Sequence, residues 1–308
     1  MTKSWLPISI EVEPRNCPIC GDSNFSVLLK YDSFGFPIRT VECAHCGLLY
    51  SNPRPTKRFL ADFYGTTYRC LYEGTKRVMG EYIRKNRLPQ LAELRLQRYR
   101  RLLSPGVRVI DVGCGLGFFL NEVRRWFKDS QIRGVEPEPN TAEYCESQLH
   151  IGVDRGFLEQ IPPSQPFDVL SAFHVLEHVY DFDSFFAAVR RHLRPGGLVL
   201  AEVPNSIGSW HGIGMFHIAH LQTFSPRTLS NLLRKNGFEI VDAGEIEERI
   251  DPANLFVVAR LTGRPSELVA RDVDESDRVR REVGRIRSAR CTRIARSWAK
   301  LALAAVRQ

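Results

Sequence analysis

The sequence lacks any long apolar run, although 43% of its 308 residues are hydrophobic. No stretch approaches the roughly 18 to 20 apolar residues that cross a bilayer as a helix. The first residues, MTKSWLPISIEVEPRN, also lack the basic flank and apolar core of a secretory signal peptide. We therefore expect a cytoplasmic protein without a transmembrane segment.

The chain carries little net charge outside its C-terminal part. Of the formal charge of +8, +6 lies between Arg264 and Gln308, where 12 basic residues accompany 6 acidic ones. The rest of the chain is nearly neutral, which argues against a basic face for nucleic acid. Within this tail, CTRIARSWAKLALAAV carries an apolar stripe at helical spacing. We predict a basic helix that docks on its own domain, pairs with a second subunit or rests on an anionic surface.

The eight cysteines come without a secretion signal, so we do not expect a disulfide framework. Four of them form two pairs, CPICG and CAHCG, with 22 residues between the pairs. Cysteines two residues apart can share one metal ion, and two such pairs complete a tetrahedral site. The spacing therefore predicts a zinc ribbon over residues 14–50, with a structural zinc ion. Its predicted ligands are Cys17, Cys20, Cys43 and Cys46.

The chain after the ribbon divides into three predicted parts. Residues 51–104 have the pattern of a linker and a helical cap, residues 105–261 alternate short strands with helices, and residues 262–308 form the basic helical tail. The alternation predicts an α/β domain with a largely parallel sheet. Strands are predicted near 107–112, 132–136, 151–153, 167–173, 198–203, 238–243 and 254–260, and helices near 117–128, 139–148, 181–193 and 225–236.

Three glycines follow the first predicted strand of this domain, in VIDVGCGLGFFL at residues 109–120. Glycines let the chain turn tightly and let a ligand approach the backbone, and the following helix start offers unpaired N–H groups. The G-x-G-x-G spacing differs from the dinucleotide fingerprint. Asp111 stands two residues before the first glycine and favours a cationic ligand over a pyrophosphate. Glu136 ends the next strand, where a carboxylate can accept hydrogen bonds from both hydroxyls of a ribose.

At these residues the sequence resembles the class I S-adenosylmethionine-dependent methyltransferases. The resemblance continues through FDVLSAFHVLEHV, LRPGG, EVPN and HLQTFSPRTLSNLLRKNGF, and is greatest for a subgroup with an N-terminal zinc ribbon followed by NPRP. It implies a Rossmann-like sheet of seven strands, the last antiparallel, with helices on both faces. It also implies that DVGCGLG wraps the methionine part of the cofactor and that Glu136 binds the ribose.

Contacts to S-adenosylmethionine are predicted for the glycine loop, for the end of the second strand and for two later loops. After the third strand, where relatives often place an acid that meets adenine, GFLEQIPP has Gly156, Phe157 and Leu158, so we expect backbone and apolar contacts there, with Glu159 as a further candidate. The predicted cofactor-binding residues are Asp111, Gly113, Cys114, Gly115, Gly117, Glu136, Pro137, Phe157, Leu158 and His174.

Candidate catalytic residues lie in HVLEH, where His174, Glu177 and His178 stand at positions i, i+3 and i+4 and would share one face if this stretch were helical. Similar quinone-biosynthesis O-methyltransferases bind a divalent cation at matching positions, but they have an acid where this chain has His174. Glu177 and His178 could equally be structural, with hydrogen bonds to neighbouring loops. A second candidate base is His220, in a long loop whose other histidines are His211 and His217 and whose aromatic residues include Trp210.

The resemblance implies a methyltransferase for a small molecule, such as a sugar, a glycan intermediate or a secondary metabolite. Two alternatives stay open from the sequence. Zinc-ribbon rRNA base methyltransferases share this domain order, although the near-neutral ribbon and sheet argue against RNA. An inactive methyltransferase domain that serves as a binding scaffold is the other alternative.

Overall fold

The computed structural model describes residues 10–66, 79–207, 215–247, 250 and 253–288. The chain divides into two compact units. The first gathers three stretches, residues 1–79, 205–225 and 270–308, and the second contains residues 80–204 and 226–269. The boundaries expected at 50, 104 and 261 stay predictions.

The first unit is built on a four-stranded antiparallel sheet with the order β11-β4-β3-β2. The segment 205–225 supplies the edge strand β11, and β1 pairs separately with β5. The elements of this unit are β1 (Val12–Glu13), β2 (Phe25–Leu29), β3 (Thr40–Cys43), β4 (Leu49–Ser51), β5 (Arg54–Pro55), α1 (Lys57–Thr66), β11 (Gln222–Thr223) and α8 (Val273–Ser288).

Helix α8 packs on the ribbon through both apolar and charged contacts. Val279 and Val283 are buried in a cluster with Leu29 and Leu49. The carboxylate of Glu42, which is 1% exposed, accepts from Arg271 Nη2 at 3.0 Å and from Arg280 Nε at 2.7 Å. The described part of the predicted tail therefore docks on its own chain. The stripe at CTRIARSWAKLALAAV lies outside the described residues.

The second unit contains a seven-stranded sheet with the order β12-β13-β10-β9-β6-β7-β8. Neighbours from β10 to β8 pair in parallel, and β13 is antiparallel to both of its neighbours. This confirms the predicted seven-stranded sheet with its last strand antiparallel. The strands are β6 (Arg108–Val112), β7 (Gln131–Glu136), β8 (Val153–Arg155), β9 (Phe167–Phe173), β10 (Leu193–Pro204), β12 (Phe238–Ile246) and β13 (Asn254–Leu261).

Helices surround this sheet and begin close to the predicted residues. At α5, Pro139 occupies the first turn and the Glu138 carboxylate accepts from the backbone N–H of Asn140 and Thr141, which fixes the helix start. Side chains of β6, β9 and β10 form the core with the apolar face of α4. The helices are α2 (Met79–Lys85), α3 (Leu88–Tyr99), α4 (Phe118–Trp126), α5 (Pro139–Leu149), α6 (Phe182–His192) and α7 (Pro226–Lys235). None of the described helices has the length and apolarity that a bilayer crossing requires.

A buried carboxylate joins α3 to the end of β10. Glu202 is 1% exposed and accepts from Arg95 Nε at 2.6 Å, Arg98 Nη1 at 2.7 Å and Tyr99 Oη at 3.0 Å. The Arg95 guanidinium also lies 4.5 Å from the ring centre of Phe173, the last residue of β9. Burying these charges is tolerable because both oxygens of the carboxylate are hydrogen-bonded.

We predict that Glu202→Gln lowers the free energy of unfolding by about 2 to 4 kcal/mol, because two arginines lose their buried counter-charge. Urea titration followed by circular dichroism measures the change. Glu239→Gln, on the exposed side of β12, is the matched control and should change stability by less than about 0.5 kcal/mol. Equal losses in the two variants would contradict this account of the network.

Candidate functional site

The glycine loop between β6 and α4 has the backbone that its sequence predicts. Gly113, Gly115 and Gly117 all have positive φ angles, of 67°, 55° and 78°. A Cβ at Gly113 would lie 2.8 Å from Cγ2 of Val175, whereas a Cβ at Gly115 would have no neighbour within 4 Å. The first glycine therefore permits close packing, and the second leaves open space that a ligand can enter.

Cys114 lies within this loop and belongs to the interior. Its side chain is buried, and a Cβ at Gly134 of β7 would lie only 2.6 Å from its Sγ. The backbone N–H groups of Gly113 and Cys114 both donate to the carbonyl of Val135, at 2.8 and 3.1 Å. The loop is thus fixed against β7, and Cys114 can offer a ligand its backbone more readily than its thiol.

Asp111 lies in β6 and is almost completely buried, with 3% exposure. Its Oδ1 accepts a hydrogen bond of 2.6 Å from the Ser171 hydroxyl of the neighbouring strand β9. Burial raises the pKa of Asp111 to about 7, against the lowering effects of that hydrogen bond and of the charge on Arg95. A cationic ligand beside Asp111 would favour its charged form. Ser171 was not among the predicted site residues, because a serine inside an apolar strand carries no signal of its own.

Glu136 ends β7 and binds the backbone of two loops. Its Oε2 accepts from the N–H of Gly115 at 3.0 Å, and its Oε1 accepts from the N–H of Glu138 at 2.9 Å. The side chain is 8% exposed. Because the carboxylate is held on both sides, its position relative to the glycine loop is fixed. Pro137 lies between Glu136 and Glu138 in this turn.

The loop after β8 is tied to the same strand end, because Gly156 N–H donates to the carbonyl of Glu136 at 3.2 Å. Phe157 is 56% exposed, while Leu158 is 1% exposed. Phe157 therefore offers an apolar ring at the surface. Leu158 has its side chain in the interior and can offer a ligand only its backbone.

The HVLEH stretch forms a single 3₁₀ turn over Leu176–His178 instead of an α-helix. His174 has a left-handed backbone with φ of 57°, so the shared helix face assumed for these three side chains does not form. His174 Nδ1 nevertheless lies 3.3 Å from Oε1 of Glu177. The N–H of His174 donates to the carbonyl of Glu202 at 2.8 Å, which fixes the start of the turn against β10.

The Glu177 carboxyl is buried, with 1% exposure. Burial acts to raise its pKa, but the hydrogen bond from His174 and the positive charges of His178 and His174 outweigh it, and the pKa lies below its ordinary value. A negative charge is therefore held beside two imidazoles. The structure brings His174, Glu177 and His178 together in the second unit with Asp111, Glu136 and the glycine loop, all at the carboxyl side of parallel strands.

His220 belongs to the first unit. Its Nδ1 lies 2.7 Å from the carbonyl oxygen of Met215, and its ring centre lies 3.6 Å from that of His217. Trp210 and His211, from the same predicted loop, lie outside the described residues.

The four predicted metal ligands also lie in the first unit and converge. Their Sγ atoms are all within 4.8 Å of one another, with 3.5 Å between Cys17 and Cys46 and 3.4 Å between Cys20 and Cys43. Thiolates around a tetrahedral zinc ion are separated by about 3.8 Å, given a Zn–S distance of about 2.3 Å. The cluster is thus compatible with one bound metal ion.

Two acids flank the glycine loop, one near the end of the strand before it and one at the end of the adjacent parallel strand. Together with the strand order, this arrangement defines a Rossmann-like methyltransferase fold. A family of methyltransferase domains matches residues 81–243, slightly more than half of the chain. The chain belongs to this methyltransferase domain family.

Individual relatives cover less of the chain. It is 29% identical over 127 residues to a ubiquinone biosynthesis O-methyltransferase of Rhodopseudomonas palustris. The aligned residues cover 40% of this chain and 49% of the relative. It is 30% identical over 155 residues to a probable S-adenosylmethionine-dependent methyltransferase of Mycolicibacterium smegmatis, 47% of this chain and 57% of the relative. The chain thus spans about half the length of these curated relatives.

A crystal structure of an S-adenosylmethionine-dependent methyltransferase from Archaeoglobus fulgidus superposes with a TM-score of 0.50 and 20% identity. The superposition covers 60% of this chain and all of the other. At this level of identity, the similarity shows the fold.

The shifted pKa of Asp111 predicts a pH-dependent effect on stability. The pKa of Asp111 is about 7 in the folded state and 3.8 without burial. Between pH 3.8 and pH 7 the folded protein therefore keeps a proton on Asp111 that the unfolded protein has lost. The corresponding stabilisation is complete below pH 3.8 and is lost as the pH rises through 7. Asp111→Asn removes this loss. As the pH rises from 5 to 8, the free energy of unfolding of the variant should therefore increase by about 2 to 3 kcal/mol relative to that of the unmodified protein.

Urea unfolding at the two pH values measures this difference. Asp168→Asn is the control, because the pKa of Asp168 is lowered and the carboxyl is ionised throughout this range in both states. Its difference from the unmodified protein should not depend on pH. The same independence for Asp111→Asn would show that Asp111 is already ionised in the folded protein.

Proposed function

We propose that this protein transfers the methyl group of S-adenosylmethionine to a small-molecule acceptor. The observation that carries the proposal is the cradle formed by the glycine loop and Glu136, a carboxylate held by two backbone N–H groups beside open space at Gly115. S-adenosylmethionine, when bound, supplies an electrophilic methyl group on a positively charged sulfur.

The residues of the cradle suit the parts of that ligand. Glu136 accepts hydrogen bonds from ribose hydroxyls, and Asp111 places negative charge near the cationic methionine portion. Phe157 offers an exposed ring to the adenine, with the backbone of Leu158 beside it. Gly113, Cys114, Gly115 and Gly117 present the backbone, and Pro137 and His174 border the cradle.

The acceptor must be positioned and, for a hydroxyl, must lose a proton. His174 is one candidate base, because its Nδ1 lies 3.3 Å from the Glu177 carboxylate, and a proton on Nδ1 would leave the lone pair of the neutral ring on Nε2. Glu177 would then orient the ring and stabilise the charge that proton transfer creates. His178 and His220 are further candidates for the base.

For the acceptor we propose a hydroxyl of a sugar, a glycan intermediate or a secondary metabolite. An oxygen acceptor is supported by the similarity to the Rhodopseudomonas palustris relative, an O-methyltransferase. We further propose that Cys17, Cys20, Cys43 and Cys46 hold a structural zinc ion, since four sulfur ligands leave no open coordination position.

Cofactor binding tests the first part of the proposal. Isothermal titration calorimetry should show one S-adenosylmethionine per chain, and Glu136→Gln should weaken binding at least about tenfold, because a charged hydrogen-bond acceptor is lost. Glu143→Gln, on the exposed face of α5, is the matched control and should bind normally. Normal binding by Glu136→Gln would show that the cradle is not the cofactor site.

Methyl transfer tests the second part. The protein is incubated with a cell extract and S-adenosylmethionine labelled in the methyl group, and small molecules are separated from protein and RNA before mass spectrometry. We expect a labelled small molecule one methyl group heavier than its precursor. Label found only in RNA, or binding of the cofactor without any transfer, would contradict the proposal.

The metal site is tested by metal analysis of purified protein. We expect one zinc per chain, and its loss together with a fall in the stability of the first unit in Cys43→Ser. Cys145→Ala is the control, because this cysteine is buried outside the cluster. Retention of zinc by Cys43→Ser would contradict the ligand assignment.

A further inference from the structure

The segment that carries His217 and His220 is held by hydrogen bonds to the ribbon. Asp32, which is 2% exposed, accepts from the N–H of Ile218 through Oδ2 at 2.9 Å. On the other side, the N–H of Ser51 donates to the carbonyl of Leu221 at 2.9 Å, and its Oγ lies 3.3 Å from the carbonyl of His220. All of these residues belong to the first unit.

The Asp32 carboxylate is built into a turn of the ribbon. Its Oδ1 accepts from the N–H groups of Phe34 and Phe36, at 2.9 and 2.8 Å. A second link runs in the opposite direction, because the N–H of Ser33 donates to the carbonyl of Phe216 at 2.7 Å. The side chain of Ile218 is buried in a cluster with Phe34 and Phe36. Hydrogen bonds and packing therefore fix the same short segment against this turn.

The hydrogen bonds of the two imidazoles assign complementary tautomers to them. A carbonyl oxygen can only accept, so Nδ1 of His220 must donate to Met215, and in the neutral ring Nε2 carries the lone pair. Nδ1 of His217 accepts from the N–H of Ala219 at 3.2 Å, so the neutral ring carries its proton on Nε2. The ring centres are only 3.6 Å apart, which limits rotation of either ring.

We infer that Asp32 is a positioning residue that, with Ser51 of β4, fixes the segment in which the Met215 carbonyl holds His220 in the tautomer whose Nε2 can accept a proton. The inference rests on the proposed function in one respect, the use of His220 as the base for the acceptor. Asp32 itself need not touch any ligand.

Asp32→Asn is the informative substitution. The side-chain oxygen of asparagine can serve the Phe34 and Phe36 N–H groups or that of Ile218, but not both, because the amide nitrogen donates. The test is made at pH 8, above the pKa of about 7 that burial gives Asp32. Asp62→Asn, on the exposed part of α1, is the matched control. Zinc content and circular dichroism verify that each variant is folded.

The first measurement is the tautomeric state of the histidines by ¹⁵N NMR of the full chain, with signals assigned through His217→Gln and His220→Gln. We expect a proton on Nδ1 of His220 and on Nε2 of His217, and a mixture of both tautomers for each ring in Asp32→Asn. A proton on Nε2 of His220, or unchanged signals in folded Asp32→Asn, would overturn the inference. Ser51→Ala removes a single hydroxyl, so it should shift the same signals even if Asp32→Asn does not fold.

The second measurement is the rate of methyl transfer to the extract. A misplaced base should lower the rate about 10- to 100-fold in Asp32→Asn, with unchanged affinity for S-adenosylmethionine. The double variant with His220→Gln should be no slower than His220→Gln alone, because both changes act through one imidazole. Additive losses, or a normal rate in Asp32→Asn, would overturn the positioning role. If the unmodified protein transfers no methyl group, the proposed function fails, while the NMR result still decides whether Asp32 holds the imidazole.

Discussion

One residue, Glu136, connects the three loops that surround the candidate cofactor site. Its carboxylate accepts from the N–H groups of Gly115 and Glu138, and its carbonyl accepts from Gly156. Because Glu136 ends a strand that is paired on both sides, with β6 and β8, these bonds transfer the rigidity of the sheet to loops that have no regular structure of their own. The open space at Gly115 keeps its shape for the same reason, and a ligand that enters it meets backbone already fixed.

The same strand ends hold two buried acids whose pKa values move in opposite directions. Asp111 has one hydroxyl donor and a distant arginine, so burial dominates and its pKa rises to about 7. Glu177 is equally buried, yet the pKa falls because His174 and His178 stand beside it. The first carboxyl is thus poised to be charged by a cationic ligand, and the second is charged in its absence. Divided in this way, the two acids suit the separate tasks of holding a sulfonium compound and orienting a base.

The sequence predicts the sheet well, because its signals are local. Apolar runs, glycines and helix caps mark each element, and Phe167–Phe173 is a strand over the predicted residues. The cysteine pairs likewise carry their spacing in the chain, and their sulfurs converge. The sequence did not decide whether HVLEH is helical, and the left-handed backbone of His174 with the short 3₁₀ turn after it could not be read from the side chains. Glu202 and Ser171 gain their importance from residues of other elements, Arg95 and Asp111, and no pattern along the chain records those pairings.

The first unit is assembled by contacts between segments that are far apart in the sequence, and the sequence pattern does not predict these contacts. Residues 205–225 follow a strand of the parallel sheet in the sequence. They nevertheless add β11 to the sheet of the ribbon, and one of their backbone N–H groups donates to the carboxylate of Asp32. Such contacts use backbone N–H and carbonyl groups, which every residue has, so the side-chain pattern contains almost no trace of them. Helix α8 and the residues just before it join the same unit through Glu42, the residue directly before Cys43 of the cysteine cluster. A metal ion at the four cysteines would therefore stabilise far more of the chain than the ribbon itself, including the segment that presents His220.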